Sequence, residues 1–290
     1  MNKKQLSYYF PIFVLPTLAA FIIGFVYPFL RGIYLSFCSF KTTSDATFIG
    51  IRNYIRAFSD PGFLHAFWFT AVFTVVSVLF INVLAFAVAY VLTSGIRGAN
   101  LFRTVFFMPN LIGGVILGYI WQLIFNGILQ NYGTTIKLDP TYGFWGLIIL
   151  MCWQQIGYMM IIYISGLNSI PESLYEAARV DGATKGQILR RVTLPMMMPS
   201  ITICTFLTLT NSFKLFDQNL ALTGGEPGVV GAAGNTVYQT EMLALNIYNT
   251  FYQNANTRGV GQAKAVIFFV LVAVIALAQL YFTRRKEVQQ

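Results

Sequence analysis

Side chains able to do acid–base, nucleophilic or metal chemistry are few and scattered along this chain. One histidine, His65, and three cysteines, Cys38, Cys152 and Cys204, lie far apart, with no C-x-x-C spacing among them. Neither a metal site nor a redox pair is expected from such a set. The thiols read as small hydrophobes, and His65, close to Trp68, as a polar residue at an interface. The ten acidic residues are dispersed, and the phosphate-loop pattern G-x-x-x-x-G-K-[ST] does not occur. Gly224-Gly225-Glu226-Pro227-Gly228 lacks the lysine and the following helix that such a loop requires. No catalytic residue and no metal ligand is therefore expected in this chain.

One run does concentrate ionisable groups. Between Ser169 and Pro195 stand Glu172, Glu176, Asp181, Arg179, Lys185, Arg190 and Arg191. Its grammar predicts two short helices with a sharp joint. Ser169 with Glu172, and Thr184 with Gln187, both have capping-box spacing, and Pro171 suits a first helical turn. Gly182 can supply the positive φ that ends a helix, and Pro195 is expected to stop the second one. At helical spacing Leu174, Ala177, Ala178 and Asp181 share one side, while Glu172, Glu176 and Arg179 can pair along another. An amphipathic elbow of this kind either rests on lipid or meets a protein, and its mixed charge suits a protein partner better than an anionic surface.

The elements that must position this elbow are membrane spans. Of the 290 residues, 56% are hydrophobic and 10% charged, with mean hydropathy +0.64; soluble domains carry about 25% charged residues. A span needs roughly 20 apolar residues, and six such runs are expected at 8–30, 63–92, 104–125, 144–166, 199–215 and 261–281. The first is too long for a signal peptide and has no closing cleavage site, so it reads as a retained span. The net charge of +9 forms no basic stripe with interleaved aromatics, so nucleic acid is not expected as a partner. The cations are instead topology signals. With both termini in the cytoplasm, the inside holds Lys3, Lys4, Arg97, Arg103, Arg179, Lys185, Arg190, Arg191, Arg284, Arg285 and Lys286 in short segments. The elbow, within 167–198, is then cytoplasmic. The segment 216–260 is long and mildly polar, which makes it an extracytoplasmic or re-entrant loop, since irregular backbone at membrane depth is tolerated only inside protein or beside water. Gly114-x-x-x-Gly118 predicts close helix packing within the chain. No repeat or linker divides residues 1–290, so a single transmembrane domain is expected.

At this point the residues resemble a known family. Glu176-Ala177-Ala178, then Gly182, then Leu194-Pro195, is similar to the "E-A-A, three residues, G, about nine residues, I-x-L-P" loop of the permeases of ATP-binding-cassette (ABC) importers, with Val192 where isoleucine is common. Met108-Pro109, Trp121, Phe125-Asn126-Gly127-Ile128-Leu129, Phe216-Asp217, Leu222-Thr223-Gly224-Gly225 and Pro227 resemble the carbohydrate branch, maltose- and oligosaccharide-type, and together cover most of the chain from the second span onward. The resemblance implies an all-α integral membrane protein with the six-helix type I ABC importer permease fold and a cytoplasmic coupling helix, in a prokaryotic plasma (inner) membrane. It implies a non-catalytic subunit forming half of a translocation pathway. The partners would be a second, different permease, two cytoplasmic ABC ATPases holding ATP and Mg, and an extracellular or periplasmic sugar-binding protein. Coupling to the ATPase would run through Glu172, Glu176, Ala177, Ala178, Arg179, Asp181 and Gly182, with Glu176 placed to meet an arginine of the partner.

A sugar offers hydroxyls to amides and carboxylates and C–H faces to aromatic rings. Polar groups within spans are the candidates for its pathway: Trp153, Gln154 and Tyr158 in the fourth span, with Asn211, Lys214, Asp217 and Gln218 at the end of the fifth. Two plainer readings stand beside this one. Lys214 and Asp217, three residues apart, can simply pair, and Trp153 and Tyr158 can be packing aromatics. A stand-alone secondary transporter would leave the elbow unexplained, a membrane-embedded enzyme would lack its histidines and aligned acids, and an ABC permease for another small solute would use the same loop.

Overall fold

The computed structural model describes residues 3–231 and 234–284; Arg285 and Lys286, two of the cations used for topology, lie outside them. Helix α1 (Lys3–Phe21) runs through a π-helical turn (Ile22–Val26) into α2 (Tyr27–Ser36). A small hairpin, β1 (Cys38–Ser39) with β2 (Thr47–Phe48), leads to α3 (Arg52–Phe58) and the long α4 (Pro61–Leu92). Then follow α5 (Ala99–Phe107), α6 (Gly114–Leu129), α7 (Pro140–Asn168), α8 (Glu172–Val180), α9 (Lys185–Ile188), α10 (Leu194–Met196), α11 (Met198–Phe213) and α12 (Asp217–Leu222). A second hairpin, β3 (Gly228–Val230) with β4 (Thr236–Tyr238), precedes α13 (Leu243–Tyr252) and α14 (Arg258–Arg284).

Among the described residues four stretches are long and apolar enough to cross a membrane as single helices: Val14–Ser36, Pro61–Leu92, Pro140–Asn168 and Ala255–Thr283. Two bent pairs are apolar enough as well, which gives up to six spans if each pair is counted as one. Ala99–Leu111 meets Gly114–Tyr132 at 102°, and Lys185–Met196 meets Met198–Phe213 at 68°. The third span thus departs from the straight 104–125 helix that hydropathy suggests. Pro109 sits in a 3-10 turn (Met108–Leu111), and Ile112 and Gly113 are extended, which breaks the α-helical hydrogen-bond ladder.

Backbone contacts group the chain into two compact units. In the first, Met1–Asp60 with Ile247–Phe269, Asn53 is buried and its amide donates to the carbonyls of Ser36 (2.9 Å) and Cys38 (2.8 Å). Lys264, fully buried, donates to Asp60 Oδ2 at 2.6 Å and to Thr250 Oγ1 at 2.7 Å. In the hairpin loop Asp45 accepts from the amides of Thr42 and Lys41, which holds its carboxyl below the usual range.

The second unit, Pro61–Asn246 with Val270–Gln290, carries the main apolar core, built where α4, α7 and α11 pack together. Phe144 meets Phe69 and Phe73 edge to face. Polar side chains tie the helices across this core: Ser77 with Ser212 at 2.8 Å, and Tyr163 Oη donating to Asn82 Oδ1 at 2.7 Å. Such bonds act as interhelical glue where lipid supplies no hydrophobic drive. The thiols of Cys152 and Cys204 are buried in the same core. His65 meets the carbonyl of Gln239 at 3.0 Å, linking the start of α4 to the β4 end.

Candidate functional site

The elbow is built from local rules. Helix α8 ends in a Schellman motif: Asp181 is the C-cap, Gly182 adopts φ +74°, its N–H donates to Arg179 O at 3.0 Å, and Ala183 N–H donates to Ala178 O at 2.9 Å. A β-carbon on Gly182 would meet nothing within 4 Å, so the glycine is required by backbone angle and not by space. Two residues on, Thr184 and Gln187 close the expected capping box and start α9. Glu172 and Arg179 pair at 3.5 Å on the exposed face. Glu176, Ala177, Asp181 and Gly182 are exposed and Ala178 is half-buried, so the Glu-Ala-Ala run lies on an open surface.

Two expectations for the elbow are corrected. Ser169 does not cap α8. Helix α7 continues to Asn168, Ser169 becomes its C-cap, and the hydroxyl donates back to Gly166 O at 2.7 Å. Pro171 is the N-cap, and α8 begins at Glu172. Pro195 does not stop the second helix either. A π turn (Leu189–Thr193), in which the Leu194 N–H reaches back to Leu189 O, carries the helix past Pro195 to Met196, and the bend falls at Met197.

Tyr175 was missed by sequence reasoning. Its ring packs on the main core while α8 around it is exposed, and its hydroxyl meets Thr193 Oγ1 at 3.5 Å, Thr193 being 1% exposed. The elbow's two arms are thereby joined. Between them lies a cleft of about 330 Å³ lined by Ala178, Asp181, Gly182, Gln187, Ile188 and Arg191, among others.

The polar residues of the fourth and fifth spans fall into unequal groups. Gln218 Nε2 donates to Gln154 Oε1 at 2.7 Å, and Gln154 Nε2 donates to Ile112 O at 3.3 Å. Gln154 is buried, Gln218 is half-buried and Asp217 is exposed. Helix α12, which carries Asp217 and Gln218, lies on α6 because glycines leave room: a β-carbon at Gly114 would stand 2.8 Å from Asp217 Cβ, and one at Gly118 2.5 Å from Ala221 Cβ. The G-x-x-x-G spacing therefore does serve packing within the chain. Trp153 is exposed and stands edge to face with Trp121 at 5.6 Å, whereas Tyr158 is half-buried against the core. Asn211 donates to Gln155 at 3.4 Å. Lys214 and Asp217 form no ion pair. Helix α11 ends at Phe213, so their three-residue spacing is not a helical one.

Asn219 was also missed. Fully buried, its amide donates to Thr240 O (2.8 Å) and Thr223 Oγ1 (3.0 Å) and accepts from Met242 N (3.0 Å), closing the loop that follows α12. No local pattern separates it from the neighbouring polar residues. Gly157 was missed as well: a methyl there would fall on the carbonyl of Phe106, where α5 turns toward α6.

The chain is similar to known proteins along almost its whole length. A family model described as binding-protein-dependent transport system inner membrane component matches residues 81–288. A probable starch degradation products transport system permease protein of Thermoanaerobacterium thermosulfurigenes is 43% identical over 286 residues, 96% of this chain and 94% of that one. The multiple sugar-binding transport system permease protein of Streptococcus mutans is 30% identical over 297 residues, 99% of each. Among solved structures, a bacterial ABC transporter involved in the import of the acidic polysaccharide alginate contains a chain of the same fold, with TM-score 0.80, 23% identity and coverage of 97% of this chain and 98% of that one.

Proposed function

The chain belongs to the family of binding-protein-dependent transport system inner membrane components, and from that premise we propose how it works as the permease subunit of a sugar ABC importer. It is a multi-pass inner-membrane protein that takes no part in ATP chemistry, which belongs to separate subunits. With a second, different permease it forms the translocation pathway, and two ABC ATPases holding ATP and Mg sit on its cytoplasmic side. A sugar-binding protein delivers an oligosaccharide from outside. Both termini and the elbow are cytoplasmic, and residues 1–290 act as one transmembrane subunit.

Coupling runs through α8. Glu176, Ala177, Ala178 and Asp181 enter a groove on the ATPase, and Glu172 and Arg179 hold the exposed face. Gly182 fixes the joint, so movement of the docked helix is passed to α11. A docked helix transmits force only when its joint is closed, and the observation that supports this reading best is the double closure: the Schellman turn at Gly182 and the Thr184–Gln187 box two residues later. The sugar's path passes Gln154, Asp217 and Gln218, where amides and a carboxylate offer paired donors and acceptors to hydroxyls, with Trp153, Tyr158, Asn211 and Lys214 bordering it.

The test is what purifies with a tagged chain, and the sugar-stimulated ATP hydrolysis of that assembly in lipid, for wild type and Glu176→Lys. Recovery of a second permease and ATPases, with stimulated hydrolysis lost in the variant, supports the reading. A chain that purifies alone and transports without ATP overturns it.

A further inference from the structure

At the end of α4 the chain turns through residues 93–98 into α5, and the two helices enclose a cleft of about 390 Å³. Every residue lining it is apolar, among them Val88, Val91, Ile96, Phe102 and Phe106. Val91 is 52% and Phe102 47% exposed, so the cleft is open along its length. An open, wholly apolar slot in a membrane-spanning unit fits a hydrocarbon chain.

The rim adds charge. Arg97 follows the lining residue Ile96, and Arg103 follows Phe102 and stands one helical turn before Phe106. The sequence from Pro61 to Leu138 contains no aspartate or glutamate, so no acid nearby in the chain answers these two cations. Arg103 makes one long bond, Nη1 to Asn100 Oδ1 at 3.3 Å, and its Nε is buried with no acceptor among the described residues. A buried guanidinium N–H without an acceptor is costly, and a phosphate oxygen is its natural partner.

We propose that this cleft seats one acyl chain of an anionic phospholipid, with the headgroup phosphate accepting from Arg103 and screened by Arg97. Because the orientation proposed above puts residues 93–98 in the cytoplasm, the lipid comes from the inner leaflet. Its acyl chain fills the slot between α4 and α5, and its charge satisfies the orphan donor. The bound lipid thereby braces α5 just before the turn that leans on Gly157.

The complete transporter, purified in detergent, is examined by native mass spectrometry after addition of phosphatidylglycerol or phosphatidylcholine, and by thermal unfolding with the same lipids or inorganic phosphate. Wild type is expected to retain phosphatidylglycerol about tenfold more strongly than Arg97→Gln/Arg103→Gln. Val91→Trp, which fills the slot and spares both charges, should lose the lipid as well. Equal retention by wild type and both variants, equal stabilisation by both lipids, or a shift given by phosphate alone overturns the proposal. So does a disulfide or crosslink from Val91→Cys to the second permease, which would make that subunit the occupant. Co-purifying subunits and sugar-stimulated ATPase are read in parallel and report on the importer reading independently of lipid retention. Labelling of Arg97→Cys by a membrane-impermeant thiol reagent from the outside only would reverse the orientation and overturn the inner-leaflet source.

Discussion

Ala221 Cβ lies 2.5 Å from the position a β-carbon would take on Gly118, and this contact seats the short helix after the fifth span against the third. Any side chain at Gly118 must push α12 away, and with it Gln218 and its bond to Gln154. Gly118→Val is expected to leave the subunits assembled and to reduce sugar transport severely. Gly127→Ala on the same helix, where a β-carbon meets nothing within 4 Å, should transport normally and gain up to ~1 kcal/mol of helix stability. Transport assays and thermal unfolding of the two variants side by side check this.

Gly157 carries a stricter constraint, because its neighbour is backbone. The Phe106 carbonyl fills the space where a methyl would project. Gly157→Ala is expected to lower the apparent Tm of the complex and its yield, at a cost of roughly 2–3 kcal/mol typical of overpacking. A variant with wild-type Tm would mean that α5 can yield freely.

What the sequence disclosed follows from how local each feature is. The Gly182 joint and the Thr184–Gln187 box depend on residues within a few positions, and both are present. Ser169 was misread because its role depends on where α7 ends, and that is decided by burial of Leu167 and Ile170 in the core, not by capping chemistry. The Lys214–Asp217 pair was conceivable only if the helix continued past Phe213. Gln154 and Gln218 are 64 residues apart and Tyr175 and Thr193 meet across a joint, so no window of sequence displays either contact.

The buried cation of the first unit gives an asymmetric expectation. Lys264 is 1% exposed at its side chain whereas Asp60 is 36% exposed. Removing Asp60 takes a bonded carboxylate from a buried ammonium, while removing Lys264 leaves a carboxylate that water can reach. Asp60→Ala should therefore cost more than Lys264→Met, with ~3 kcal/mol as the scale for breaking such a pair. The double variant should recover part of the loss. Apparent Tm of the purified complex measures all three, and a reversed order would refute the burial argument.

Tyr175 separates packing from hydrogen bonding. Its contact with Thr193 is long at 3.5 Å, so Tyr175→Phe removes little, within ~0.5 kcal/mol, and should couple nearly as wild type. Tyr175→Ala withdraws the ring from the core. Its expected signature, if α8 couples to the ATPase as proposed, is ATP hydrolysis that continues while sugar accumulation falls, because α8 is no longer held to the span behind it. Equal loss in both variants would instead assign the role to the hydroxyl.

Gly182 gives the sharpest test of the joint, since sterics and backbone angle can be separated there. The open space around its absent β-carbon means alanine fits, and the penalty is confined to holding φ near +74°, about 1–2 kcal/mol for a residue with a β-carbon. Asparagine tolerates that region better than alanine. The expected order of sugar-stimulated ATPase activity is glycine, then Gly182→Asn, then Gly182→Ala, with valine lowest because of its branched β-carbon. Subunit recovery should stay unchanged from glycine to alanine. If the loss tracked side-chain volume, with asparagine worse than alanine, the requirement would be space at the ATPase interface and not the closed turn.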